Sequence, residues 1–139
     1  MTPRFNAYLS FDGNCREAMN FYKECFGGEL MVQAVAETAV AAQMPAAIQQ
    51  QVMHSMLTAG DFCIMGSDMH RGKLLEGNAV SLCIHCRSEE EINTLFARVS
   101  AGGTVDEPLE HTFWGALFGA VKDKYGKQWL FNYDKNQVN

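Results

Sequence analysis

Four histidines and five cysteines carry most of the chemistry this chain could do. His54 sits in the stretch Val52-Met53-His54, on an apparent strand. There it could act as a base or hydrogen-bond a ligand carbonyl. Equally, it could be a structural histidine bonded to a neighbouring loop. His85 ends a strand beside Cys86 and reads as an exposed strand-end group. His111 precedes Thr112-Phe113-Trp114, and its polar loop position suits solvent. Cys15, Cys25, Cys63, Cys83 and Cys86 are scattered and odd in number, so they read as reduced, mostly buried thiols rather than a disulfide framework. Cys83 and Cys86 have C-x-x-C spacing. Strand alternation sends them to opposite faces, which is poor geometry for a shared metal or disulfide. No nucleophile–base pair, Gly-x-Ser-x-Gly turn or facing pair of carboxylates stands out. Glu89-Glu90-Glu91 opens a helix, where acidic side chains favour the dipole and face water.

The bounds are plain. A length of 139 residues suits one compact domain or two small fused modules, with 9 Phe to fill a core. A net charge of -5 gives no electrostatic footprint for nucleic acid. No apolar run approaches the roughly 20 residues that span a bilayer, so no membrane partner is expected. The start MTPRFNAYLS has no signal-peptide h-region, and residence in the cytoplasm is the expectation.

Positioning those groups falls to a short series of elements. Phe5–Phe11 alternates as a strand. Asn14 is a good N-cap for a helix to Phe26, with Cys15, Ala18, Met19, Tyr22 and Phe26 on one stripe. Gly27-Gly28 ends it, and Glu29–Ala36 is the next strand. Residues 37–51 are rich in Ala and Gln with Pro45 in the middle, which predicts a flap with a helical turn. Val52–Ala59 and Phe62–Ser67 form a hairpin about Gly60-Asp61. Asp68–Asn78 is polar and reads as a linker. Ala79–Cys86 is then a strand, and Ser88 with Glu91 makes a capping box. The helix that follows carries the stripe Ile92, Leu95, Phe96 and Val99. Gly102-Gly103 closes it, and Thr104–Leu109 is extended up to Pro108. Within Thr112–Tyr133, two aromatic-rich strands flank the turn Lys122–Gly126.

The second half repeats the first. Sliding the chain by 75 residues sets Gly27-Gly28 on Gly102-Gly103, Phe21 on Phe96 and Asn6 on Ser81. Gly60-Asp61-Phe62-Cys63-Ile64-Met65 is matched to Gly126-Lys127-Gln128-Trp129-Leu130-Phe131. The chain thus predicts an α+β fold of two paired βαβββ modules, about 1–70 and 78–139. Neither module can bury both faces of its sheet alone, so the two should pair and curl around a shared cleft.

Several short stretches carry a family resemblance. They are Tyr8-Leu9-Ser10-Phe11-Asp12-Gly13-Asn14-Cys15, Glu17-Ala18, Phe21-Tyr22 and Phe26-Gly27-Gly28. Val52-Met53-His54, Gly60-Asp61 and Met65-Gly66-Ser67-Asp68 add to them. So do Thr112-Phe113-Trp114-Gly115, Phe118-Gly119, Asp123, Tyr125-Gly126 and Trp129. In this order they resemble the PhnB-like branch of the vicinal oxygen chelate superfamily, which holds glyoxalase I, bleomycin-resistance proteins and extradiol dioxygenases. The resemblance implies an open eight-stranded cup and a homodimer. Some relatives carry a ubiquinone-methyltransferase label, but this chain has no Gly-rich nucleotide loop after a strand.

Metal-using members hold one divalent ion with side chains from the first and last strand of each module. The positions implied here are Asn6, Ile64, Ser81 and Leu130. Two are hydrocarbons, and the others are a weak amide donor and a hydroxyl, so no metal and no other cofactor is expected. Parity puts Leu9, Val80, Leu82, Ile84, Trp129 and Phe131 on the helix face. It turns Asn6, Tyr8, Ile64, Ser81, Cys83, His85, Gln128, Leu130 and Asn132 toward the cup. Phe113 and Trp114, as neighbours on a strand, point to opposite faces, one of them a pocket wall. Together with His54, these residues predict a cup that binds a small, partly apolar molecule. The alternatives are a glyoxalase-type lyase or isomerase with a non-standard or metal-free site using His54, and a dimeric scaffold without a ligand.

Overall fold

The alternating runs become two four-stranded mixed sheets, each with one helix against it. The computed structural model describes residues 2–136. The chain divides between Leu75 and Glu76 into two units. The first unit holds β1 (Ala7–Ser10), α1 (Cys15–Phe26), β2 (Glu29–Ala34), β3 (Val52–Ala59) and β4 (Phe62–Ser67). Its sheet order is β1-β4-β3-β2, with β1 parallel to β4 and the other pairs antiparallel. The second unit holds β5 (Leu82–His85), α2 (Glu89–Ser100), β6 (Thr104–His111), β7 (Ala116–Lys122) and β8 (Gln128–Asp134). Its order, β5-β8-β7-β6, is the same connectivity. Each unit is therefore a βαβββ module of α+β class, as the repeat predicts.

In each unit the helix stripe and one face of the sheet make the core. Cys15, Ala18, Met19 and Tyr22 are buried with Leu57 and Ile64. The Phe26 ring lies 4.8 Å from that of Phe62. Gly66 lets α1 approach β4: a methyl there would stand 2.9 Å from Met19 Sδ and 3.3 Å from Cys15 Sγ. In the second unit Ile92 and Val99 are buried, and Phe96 meets Phe131 edge-on at 5.5 Å. There the close approach falls on β7, where a Cβ at Gly119 would be 2.7 Å from the Phe96 ring. The duplicated glycines have a shared cause. A Cβ at Gly28 would collide with the Thr58 carbonyl oxygen, and one at Gly103 with that of Lys122.

Two buried aspartates tie the loops down. Asp68 follows β4 and is buried. Its Oδ1 accepts from the N–H groups of Gly13 (2.9 Å) and Cys15 (3.0 Å), and its Oδ2 from Val52 N–H (2.8 Å). It is a fastening point and not the linker residue its polar neighbours suggest. The side chain of Asn14 makes no cap bond, so Asp68 does the capping expected of it. Asp123 plays the corresponding part in the β7–β8 turn. It accepts from Trp129 Nε1 (2.7 Å) and from the N–H groups of Tyr125 and Lys127.

Several boundaries differ from expectation. β1 spans Ala7–Ser10 only: Ser10 pairs with Ser67, the last residue of β4, and Phe5, before the strand, is 99% exposed. β5 is likewise shorter than Ala79–Cys86, and Val80 lies outside it, exposed instead of on the helix face. β6 runs past Pro108 to His111. It is an edge strand with two register shifts, where a residue lacking an N–H is tolerated. Residues 35–48 form three single 3-10 turns, Val35–Glu37, Ala41–Gln43 and Ala46–Ile48. Gln49 Nε2 donates to the carbonyls of Ala41 and Met44 at 2.8 and 3.0 Å and holds the segment together. Among the described residues, no helix is long and apolar enough to cross a membrane.

Candidate functional site

The face of each sheet turned away from its helix is the open one, and strand register decides what it carries. In the first unit, Tyr8 pairs with Met65, Met65 with Met56, and Met56 with Met31. Paired residues share a face, so one row across all four strands holds a phenol and three thioethers. Tyr8 is 53% and Met31 47% exposed. His54 lies beside this row, opposite Gln33 on the same face. It is half-buried, and the described residues give its ring no hydrogen bond. Asn6 Nδ2 approaches Met65 Sδ at 3.9 Å.

Ile64 is not on this face. It pairs with Leu57 and Ala7, is 3% exposed and belongs to the core under α1. The reason lies in the turns. Two residues, Gly60 and Asp61, join β3 to β4, whereas five, Asp123 to Lys127, join β7 to β8. Aligning the halves on their turn glycines therefore slips β4 by one residue and swaps its faces. By the observed register Met65 corresponds to Leu130, since Tyr8 pairs with Met65 as Cys83 pairs with Leu130. The position that the resemblance assigns to Ile64 therefore falls on Met65, a thioether in place of a hydrocarbon. Among the described residues, no three His, Cys, Asp or Glu groups converge as a metal site would need.

The second unit's open face has two complete rows. One runs Cys83, Leu130, Ala120, Glu107, and the next runs His85, Asn132, Phe118, Glu110. Gln128 pairs with Lys122 at the edge of the same face. An open groove of about 950 Å³ lies over Glu107, Ala120, Lys122 and Gln128, with Glu76 and Asp106 at its side. Glu76 accepts two hydrogen bonds from the buried Lys127 ammonium, at 2.9 and 2.8 Å. Ser81 is exposed just before β5.

Cys83 and Cys86 do separate, with Cys83 exposed and Cys86 only 2% exposed. Burial pushes the Cys86 thiol up to about 11, helped by the Glu91 carboxylate and the Cys83 sulfur against Arg87. Cys83 is also raised, by partial burial alone. Its Sγ lies 3.7 Å from His85 Nε2, and His85 Nδ1 lies 3.5 Å from the Asn132 amide nitrogen. This trio escaped the sequence reading, which treated Cys83 and His85 singly. A Cys-x-His step on an alternating strand was the available signal, but Asn132 arrives only through the parallel pairing of β5 with β8.

Phe113 and Trp114 stand in the turn between β6 and β7, not on a strand. Thr112 Oγ1 accepts from Ala116 N–H at 3.0 Å, and Gly115 takes φ +90, so local turn chemistry overrides the aromatic run. Their rings meet edge-on at 4.9 Å, and Phe113 is 97% exposed. The two side chains therefore do not divide between the faces of a strand. Trp114 instead borders a second hollow of about 370 Å³ with Pro108, Glu110 and Phe118.

The model of the 3-demethylubiquinone-9 3-methyltransferase family matches residues 3–131. Protein PA1353 from Pseudomonas aeruginosa is 34% identical, with a TM-score of 0.83 over 96% of this chain and 98% of its own. A PhnB protein from Bacillus cereus is 27% identical, with a TM-score of 0.71 over 94% and 99%. A glyoxalase/bleomycin resistance protein/dioxygenase family enzyme from Burkholderia phytofirmans, at 13% identity, shares the fold with a TM-score of 0.65 over 93% and 96%. The chain therefore belongs to the PhnB-like 3-demethylubiquinone-9 3-methyltransferase family and shares the glyoxalase/bleomycin resistance fold.

Proposed function

We propose that this protein binds a small, partly apolar molecule on the open faces of its sheets, without a metal. The observation that carries this reading is the row Tyr8, Met65, Met56, Met31. Thioethers left outside a core form an adaptable, polarisable surface that suits ligands of varied shape. His54 on the first sheet with Asn6 just before it, and Cys83, Gln128, Leu130 and Asn132 on the second, supply hydrogen bonds and further apolar wall. Ser81 and Trp114 belong to the rim, with Phe113 packed on Trp114; Ile64 is left out. The resemblance also supports pairing with a second copy of the chain. β1 and β5 each have one unpaired side in their sheets, and exposed strand edges favour association. The methyltransferase name carried by the family model plays no part in this proposal, since no glycine-rich turn follows a strand to cradle a nucleotide's phosphates.

The environment-sensitive dye 8-anilinonaphthalene-1-sulfonate tests the reading. The folded protein should bind it saturably, and Met56→Glu should weaken that binding at least tenfold while leaving the thermal midpoint nearly unchanged. No saturable binding, or equal binding by the variant, overturns it. Zinc, nickel, manganese and iron titrations test the second half: tight stoichiometric uptake would contradict a metal-free cup.

A further inference from the structure

We propose that Cys83, His85 and Asn132 form a base-assisted thiol site that adds to aldehydes. All three lie on one face: Cys83 and His85 are two residues apart on β5, and Asn132 is the direct partner of His85 on β8. The Sγ–Nε2 separation of 3.7 Å is a thiol–imidazole hydrogen bond. The Asn132 amide meets the other ring nitrogen at 3.5 Å. Rotating that amide places its oxygen to accept from Nδ1–H, which leaves the Nε2 lone pair facing sulfur. Nucleophile, base and ring-orienting group are then in order.

Partial burial raises the Cys83 thiol above its ordinary value, which favours handing its proton to His85 as the new bond forms. The step balances without any other reactant. Sulfur attacks the carbonyl carbon while Nε2 takes the thiol proton. The C=O π pair moves to oxygen, and the imidazolium returns the proton there, giving a hemithioacetal. One base and one nucleophile suffice because nothing leaves. Aldehyde addition therefore suits the trio: the one proton it moves ends on the new hydroxyl, with no departing group to accommodate. Leu130, Phe118 and Ala120 on adjoining positions give the aldehyde's carbon chain an apolar seat. Cys86, three residues on, is buried under the sheet and takes no part. The other ionisable groups on this face are Asp134 of β8, Lys122 of β7, and Glu107 and Glu110 of β6.

The proposal rests on the open face being a ligand surface. Dye binding tests that surface and alkylation tests the trio, so the two can fail separately. The rate of Cys83 alkylation by iodoacetamide in the folded protein would be followed by peptide mass mapping, with Cys63 as internal reference. His85→Ala and His85→Gln should each slow Cys83 alkylation at least tenfold at neutral pH, leaving Cys63 unchanged. Asn132→Ala should slow it a few-fold. Butanal should protect Cys83 and not Cys63. Rates within twofold of the natural protein in both His85 variants, or protection equal at the two cysteines, would overturn the proposal.

Discussion

At the start of α1, the Asp68 carboxylate reaches from the far end of β4 to take the N–H groups of Gly13 and Cys15. At the start of α2, Ser88 Oγ takes the Glu91 N–H at 3.0 Å, and the Glu91 carboxylate turns back to Arg87 N–H. These helix starts occupy equivalent places in a duplicated frame, yet one is capped from more than fifty residues away and the other within four. The long-range cap also holds the first residue of β3, so it joins three segments through one side chain. The local cap secures only its own helix. An equivalent position therefore does not imply an equivalent contribution to stability.

Substitutions can break that comparison. Asp68→Ala should have the largest effect, because it removes the acceptor of three N–H donors, those of Cys15 and Val52 buried. We expect a loss of about 3–5 kcal/mol in urea unfolding followed by far-ultraviolet circular dichroism. A loss no greater than that of a surface change would erase the contrast. Ser88→Ala removes one local cap bond and should cost about 1 kcal/mol. Glu91→Gln should matter less still. Its carboxyl lies below the ordinary range, chiefly through the Arg87 side-chain hydrogen bond and then the Arg87 N–H. A depressed carboxylate contributes stability above its unfolded value, near about 4.3, and loses it as pH falls through the folded one. The variant should therefore flatten the acid limb of a stability–pH curve, by less than about 1 kcal/mol for this solvent-facing pair. Asn14→Ala should stay within about 0.5 kcal/mol despite its position, since its side chain makes no cap bond.

The same contrast explains what could be read in advance. Ser88 and Glu91 announce themselves because cap and partner are three residues apart. The stripe Cys15, Ala18, Met19 and Tyr22 is legible because helical period and burial coincide. Asp68 hides among polar neighbours, and only the folded chain brings it to Gly13. The face of Ile64 was misread because the two hairpin turns differ in length, and one residue inverts a strand. Phe113 and Trp114 looked like strand residues because their aromaticity outweighed the turn signal of Thr112 and Gly115. On the open faces, single positions such as Tyr8 and Leu130 were visible from alternation. The rows that join them across strands needed the register, and so did the meeting of His85 with Asn132.

Both tryptophans lie in the second unit, and their surroundings are opposite. Trp129 is 1% exposed and donates to Asp123, while Trp114 is 57% exposed on a turn. Indole emission is thus a two-colour reporter of this unit: a blue, shielded component and a red, quencher-accessible one. The first unit is dark to selective indole excitation. Melting followed by emission alone would record half the molecule, and a tryptophan introduced at Tyr22 would illuminate the other half.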